Sequence, residues 1–127
     1  MRHALLAPFA LLLAAASPPP VTVAEQVVPQ DRGEQVVLVQ AREFPKGTAS
    51  GWHVHPGVEI AYVTSGEMTL ETAAGVRRLK VGDSFVMPRG EAHNGACAAG
   101  KTARVVITLL VDKGAPPRQS VPAPQVR

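Results

Sequence analysis

The middle of the chain alternates between apolar and polar residues in short runs, and turn residues separate these runs. A period of two residues is typical of a β-strand with one buried face. The alternation predicts six strands, at residues 36–44, 58–64, 68–72, 76–79, 84–87 and 103–111. No stretch beyond the first residues has a convincing apolar period of 3.6 residues. Many short strands with regular turns predict an all-β fold, either a sandwich or a small β-barrel.

The first twenty-four residues have a different pattern. Arg2 and His3 precede an apolar run over residues 4–16, and small residues follow. A basic start, a short apolar core and a small-residue end predict a secretory signal peptide, cleaved after Ala16 or Ala24. The run is short for a membrane span, so we expect no membrane association after cleavage, with a retained anchor as the alternative. The expected location is periplasmic or secreted.

Proline marks two further boundaries. Residues 17–31 and 114–127 each carry four prolines and few large apolar side chains. This composition predicts a flexible lead-in to about residue 31 and a flexible tail from 114 to 127. Residues 32–113, which contain no internal repeat, are then one domain.

Charge and aromatic content exclude one class of partner. The chain of 127 residues has a formal net charge of +3, and its one tight basic cluster is Arg77-Arg78-Lys80. Three charges beside a turn are typical of a solvated surface. One Trp, one Tyr and three Phe are too few for a surface on which bases stack. We therefore expect no nucleic-acid partner.

The histidines indicate chemistry. His53 and His55 are two residues apart, so they share one face of a strand, and Glu59 joins them if the strand resumes after Pro56-Gly57. A second segment supplies His93. These four side chains predict a metal site, whereas the alternative is a set of ordinary half-buried polar residues.

Three imidazoles and one carboxylate suit a divalent transition metal: Mn, Fe, Ni, Cu or Zn. Sites built only of oxygen atoms suit Mg or Ca, and thiolates suit structural Zn. Four protein ligands on a six-coordinate ion leave two positions open, as a working site requires.

Two segments resemble the motifs of the cupin superfamily. The first is GTASGWHVHPGVEIAYVTSG, from Gly47 to Gly66, and the second is GDSFVMPRGEAH, from Gly82 to His93. Their order and spacing are similar to those of the small single-domain, quercetinase-like bacterial cupins of type 2. The resemblance implies a double-stranded β-helix, a jelly-roll-like barrel, with a metal held by His53, His55, Glu59 and His93. It also implies a homodimer, and a glutamate that can act catalytically by accepting a substrate proton.

Cys97 departs from the motif, which has asparagine at this position. As the single cysteine it excludes an internal disulfide, and strand parity places it on the side of His93. It is either a small buried packing residue or a further ligand or redox-active neighbour. The other pocket candidates are Met68 and one of Phe85 or Met87, which we expect to face inward.

Two classes of function remain. The first is a metal-dependent, dioxygenase-like or decarboxylase-like enzyme that acts on a small chelating organic molecule. The second is a non-catalytic module that binds or senses a metal or small ligand. One fold hosts many reactions, so the motifs do not choose between them.

Overall fold

The computed structural model describes residues 33–97 and 102–125. These residues form nine strands in chain order: β1 Gln35–Phe44, β2 His53–Val54, β3 Gly57–Ser65, β4 Glu67–Thr72, β5 Gly75–Lys80, β6 Ser84–Met87, β7 His93–Ala96, β8 Ala103–Asp112 and β9 Gln119–Ser120. The six predicted strands are confirmed as β1, β3, β4, β5, β6 and β8, with ends that differ by one residue at most. The predicted all-β class is also confirmed.

The strands form two antiparallel sheets, with the orders β1-β8-β3-β6 and β5-β4-β7-β2-β9. β8 lies inside the first sheet, between β1 and β3, and every second residue of β8 is buried. Its buried residues are Ala103, Val105, Ile107, Leu109 and Val111. They pack against apolar residues of the second sheet, such as Leu70 on β4 and Leu79 on β5. This arrangement is the double-stranded β-helix that the resemblance implies.

Two glycines lie where the chain passes very close to β8. A Cβ atom on Gly57 would lie 1.9 Å from the carbonyl oxygen of Leu110, and one on Gly66 would lie 2.2 Å from that of Thr102. Gly66 also has a φ of 72°, which favours glycine. Both ends of β3 therefore depend on the absence of a side chain.

The segment after β8 differs from the predicted flexible tail. Residues 119 and 120 form β9, which pairs with β2 so that Val54 lies opposite Gln119 and His53 opposite Ser120. The backbone N–H of Val121 donates to the carbonyl of Trp52 at 3.0 Å. Backbone pairing, which composition does not encode, gives this part of the tail a defined place.

The predicted signal peptide and the lead-in to residue 31 lie outside the described residues. Within residues 33–97 and 102–125, no helix is long and apolar enough to cross a membrane. The export prediction therefore stays a prediction.

Candidate metal centre

The four predicted ligands come together from both sheets. His53 on β2 and His93 on β7 are direct cross-strand partners in the second sheet. Glu59 points inward from β3 of the first sheet, and His55 lies in the connection between β2 and β3. One ligand atom from each residue lies within 4.8 Å of all the others, and all four side chains are buried. The spacing argument thus predicted the grouping that the structure shows.

Backbone carbonyls orient the three imidazole rings. His53 Nδ1 lies 2.7 Å from the carbonyl oxygen of Gly51, and His93 Nδ1 lies 2.9 Å from that of Glu91. His55 Nδ1 lies 2.6 Å from the carbonyl oxygen of Pro117. Because a carbonyl only accepts, each Nδ1 must carry the proton and donate it. Each Nε2 of a neutral ring is then a bare lone pair, the form that binds a metal.

These lone pairs meet a carboxylate. Oε2 of Glu59 lies 2.8 Å from Nε2 of His55 and 2.8 Å from Nε2 of His93. Nε2 of His55 is buried without a hydrogen-bond partner among the described residues. In neutral rings no proton separates the nitrogen lone pairs from the anionic oxygen, so the contact is repulsive. A cation or added protons must occupy the centre, and the donor set therefore fits a transition metal.

The pKa values show where protons go without a metal. Burial lowers the pKa of His53 to about 4, so this ring is neutral at pH 7. Burial alone would raise the pKa of Glu59, but the adjacent imidazoles of His55 and His93 outweigh it and hold the pKa at about 2. Burial would likewise lower the pKa of His93, but hydrogen bonds to Glu59 and Glu91 raise it. Without metal, His93 is therefore the ring that holds a proton against the Glu59 carboxylate.

Metal binding at pH 6.5 is expected to release about one proton per ion, because Nε2 of His93 must lose its proton to bind. Because the pKa of His93 is raised above its ordinary value of 6.5, the ring is still mostly protonated at pH 6.5, and the release falls as the pH rises through that raised pKa. Affinity should therefore rise with pH over this window and then level off.

Calorimetric titration in two buffers of different ionisation enthalpy measures the proton count. Equal heats in both buffers at pH 6.5 would contradict a protonated His93.

A small cavity of about 20 Å³ adjoins the ligands. Met68 and Phe85 line it, together with Phe44, Arg42 and Ser50. Met87 is equally buried, at 4% exposure, but does not line the cavity. Both Phe85 and Met87 face inward because residues two apart on β6 share a face. The sequence analysis expected one of the two to face inward, whereas both are buried.

Cys97 is fully buried in the core. Its Sγ lies 3.5 Å from the carbonyl oxygen of Glu67, and the residue is not part of the ligand cluster. Its surroundings match the packing alternative better than a fifth ligand.

Sequence reasoning missed the groups that orient the rings. The carbonyls of Gly51, Glu91 and Pro117 have no side-chain signature. A carbonyl two residues before a ligand could have been anticipated for His53 and His93, but Pro117 lies 62 residues from His55.

Known proteins resemble this chain in sequence and in fold. The model of the family described as "Cupin domain" matches residues 41–111. A search of curated proteins found no match to the chain.

Several solved structures are similar in fold. The DMSP lyase DddQ from Ruegeria pomeroyi shares 21% identity at a TM-score of 0.61, over 67% of this chain and 43% of that chain. A cupin-like protein from Thermotoga maritima shares 27% identity at a TM-score of 0.59, over 68% of this chain and 65% of that chain. The polyketide cyclase RemF from Streptomyces resistomycificus shares 22% identity at a TM-score of 0.61, over 73% of this chain and 66% of that chain. The chain spans less than two thirds of the length of each.

Proposed function

The chain belongs to the Cupin domain family, and from this premise we propose that it is an exported, metal-dependent enzyme acting on a small chelating organic molecule. The reaction class is dioxygenase-like or decarboxylase-like. The observation that carries the proposal is the convergence of four buried ligand atoms, one from each of three histidines and one glutamate. On a six-coordinate ion, four protein ligands leave two positions for substrate.

The side chains have separate tasks in this proposal. His53, His55, Glu59 and His93 hold the metal, which would supply a Lewis acid for a bound oxygen atom of the substrate. Glu59 is the carboxylate of the set, and in the proposed reaction it accepts a proton from the substrate. The apolar wall formed by Phe44, Met68 and Phe85 excludes water from the reacting atoms.

The cavity limits the size of the substrate. About 20 Å³ holds little more than one water molecule, so a flavonol does not fit in this conformation. Met68 is the flexible member of the wall, and a change of its rotamer would enlarge the space. Arg42 is the cationic side chain of the lining, and it would complement a small carboxylate. An oxalate-sized anion also exceeds this volume and would need the Met68 rearrangement, whereas a flavonol would need a much larger opening.

The second candidate is a binding or sensing module without turnover. The same small cavity favours it, since a site with room for one small molecule could simply hold that molecule. Two of the similar structures are named as enzymes, a lyase and a cyclase. Their identities, below 25%, show the fold and not the reaction.

A homodimer is also part of the proposal. The outer face of the first sheet carries two cross-strand rows without charged residues: Val39, Thr108 and Ile60, and Ala41, Val106 and Tyr62. Val39 is 69% exposed and Tyr62 is 41% exposed. An apolar face of this kind is suited to pack against the same face of a second copy.

One purification tests these points together. Protein taken from the periplasmic fraction of its own host should start at Ser17 or Glu25 by mass spectrometry and should have a dimer mass by light scattering. Elemental analysis should find about one Mn, Fe, Ni, Cu or Zn per chain.

Apoprotein reloaded with that metal should then consume O₂ or convert oxalate or a flavonol, with His93→Ala as the metal-free control. An intact Met1 in membranes would overturn export, and a monomer mass would overturn the dimer. Absence of metal binding would overturn the metal site. Saturable ligand binding without turnover would select the second candidate.

A further inference from the structure

Residues 115–121, here called the strap, run from the turn after β8 back to the metal centre. The strap includes β9, whose pairing with β2 joins it to the strand that carries His53. Most of its residues are exposed, and none belongs to the hydrophobic core. Backbone and polar contacts therefore hold it in place, and such segments open at low cost compared with core strands.

The strap supplies the acceptor for one metal ligand. Pro117 accepts from Nδ1 of His55 at 2.6 Å, across 62 residues of sequence. His53 and His93 differ in this respect, because each donates to a carbonyl only two residues before it. Their orientation is therefore local, whereas the orientation of His55 depends on whether the strap is docked.

Arg118 fastens the strap beside the same site. Its guanidinium donates to the carbonyl of Ser50 and lies 3.5 Å from the carbonyl oxygen of Gly51. The Gly51 carbonyl is the one that orients His53. Arg118 thus ties the strap to the backbone that leads into β2.

We propose that the strap is a positioning element of the metal centre, and that docking of the strap and metal binding stabilise each other. The Pro117 carbonyl holds His55 in the tautomer and orientation that direct Nε2 to the metal, and Arg118 keeps Pro117 in place. This inference rests on the proposed metal site. Coupling between two binding events is reciprocal. The factor by which the docked strap raises metal affinity is therefore also the factor by which bound metal raises the docking equilibrium constant of the strap.

The affinity of the apoprotein for Co²⁺, with its visible absorption spectrum, tests one direction. A chain that ends at Lys113 is expected to bind Co²⁺ about 10–100-fold more weakly with a changed spectrum, the usual cost of losing such an outer partner. Full-length Arg118→Ala should show a smaller loss in the same direction. Arg104→Ala, which removes an exposed ion pair with Glu43, is the matched control and should bind like the wild type. Circular dichroism of each variant separates local loss from unfolding.

Trypsin cleavage after Arg118 in the full-length wild type tests the other direction. Co²⁺ should slow cleavage there by the same factor, and more than it slows cleavage after Arg78 on exposed β5. If the wild type binds Co²⁺ and both the shortened chain and Arg118→Ala bind it with the same affinity, the positioning role of the strap is wrong and the metal site stands. Equal protection of Arg78 and Arg118 would also overturn that role. A wild type that binds no Co²⁺ would overturn the metal site, and with it the strap.

Discussion

His93→Ala is expected to lose nearly all bound metal. The substitution removes one of the four candidate ligands and also the imidazole whose Nε2 contacts the Glu59 carboxylate. Removal of an outer partner already costs roughly 10–100-fold in affinity, so loss of a ligand should cost more. Elemental analysis after gel filtration measures the remaining stoichiometry. His53→Ala should behave alike.

Glu59→Gln is the informative contrast to these variants. It keeps the size of the side chain and an oxygen atom, but it removes the negative charge that offsets part of the metal's charge. We expect it to retain a good share of the metal and to lose turnover or change its affinity for the ligand. Wild-type metal content together with wild-type activity would show that Glu59 is a bystander and that the site has three histidine ligands.

Gly57→Ala is expected to reduce the free energy of unfolding by about 4 kcal/mol or more, or to prevent folding. The new methyl group would overlap the carbonyl oxygen of Leu110 at 1.9 Å and the Cα atom of Val111 at 2.6 Å. These are backbone atoms of β8, so no side-chain rotation relieves the contact. The urea midpoint and the soluble yield measure the effect.

Gly33→Ala is the matched control, because among the described residues no atom beyond its chain neighbours lies within 4 Å of the added Cβ. It should stay within about 0.5 kcal/mol of the wild type. A Gly57→Ala midpoint equal to that of the control would mean that β3 and β8 lie farther apart than described.

Periodicity predicted which segments form strands more reliably than it predicted their faces. In β8 the alternation is regular, and the buried positions follow from it. Val36 to Val39 on β1 are all apolar, so no period distinguishes inside from outside. Leu38 packs against the core, whereas Val37 and Val39 are 59% and 69% exposed. Which of these apolar side chains is buried depends on how the sheet packs against its partner sheet, and the local sequence does not contain that information.

The ligand cluster could be predicted because its donors are side chains with a strand spacing. The orienting groups could not, because any residue provides a carbonyl and the fold decides which one is near. Pro117 illustrates this limit. The composition of its segment predicts a flexible tail, yet its carbonyl oxygen contacts the buried ring of His55. An expression design that removed this tail because of its composition would therefore also remove part of the candidate metal centre.

The origin of the ligands in both sheets affects how the protein would respond to its surroundings. Glu59 belongs to one sheet and His53 and His93 to the other, so a bound ion would join the two layers. An unfolded chain has no such site, so the free energy of unfolding would rise with metal supply by RT ln(1 + [M]/Kd). At a free concentration one hundred times Kd this is about 2.7 kcal/mol. A chelator would then lower the stability of the fold, and the lifetime of the folded protein would depend on the trace metal available to it.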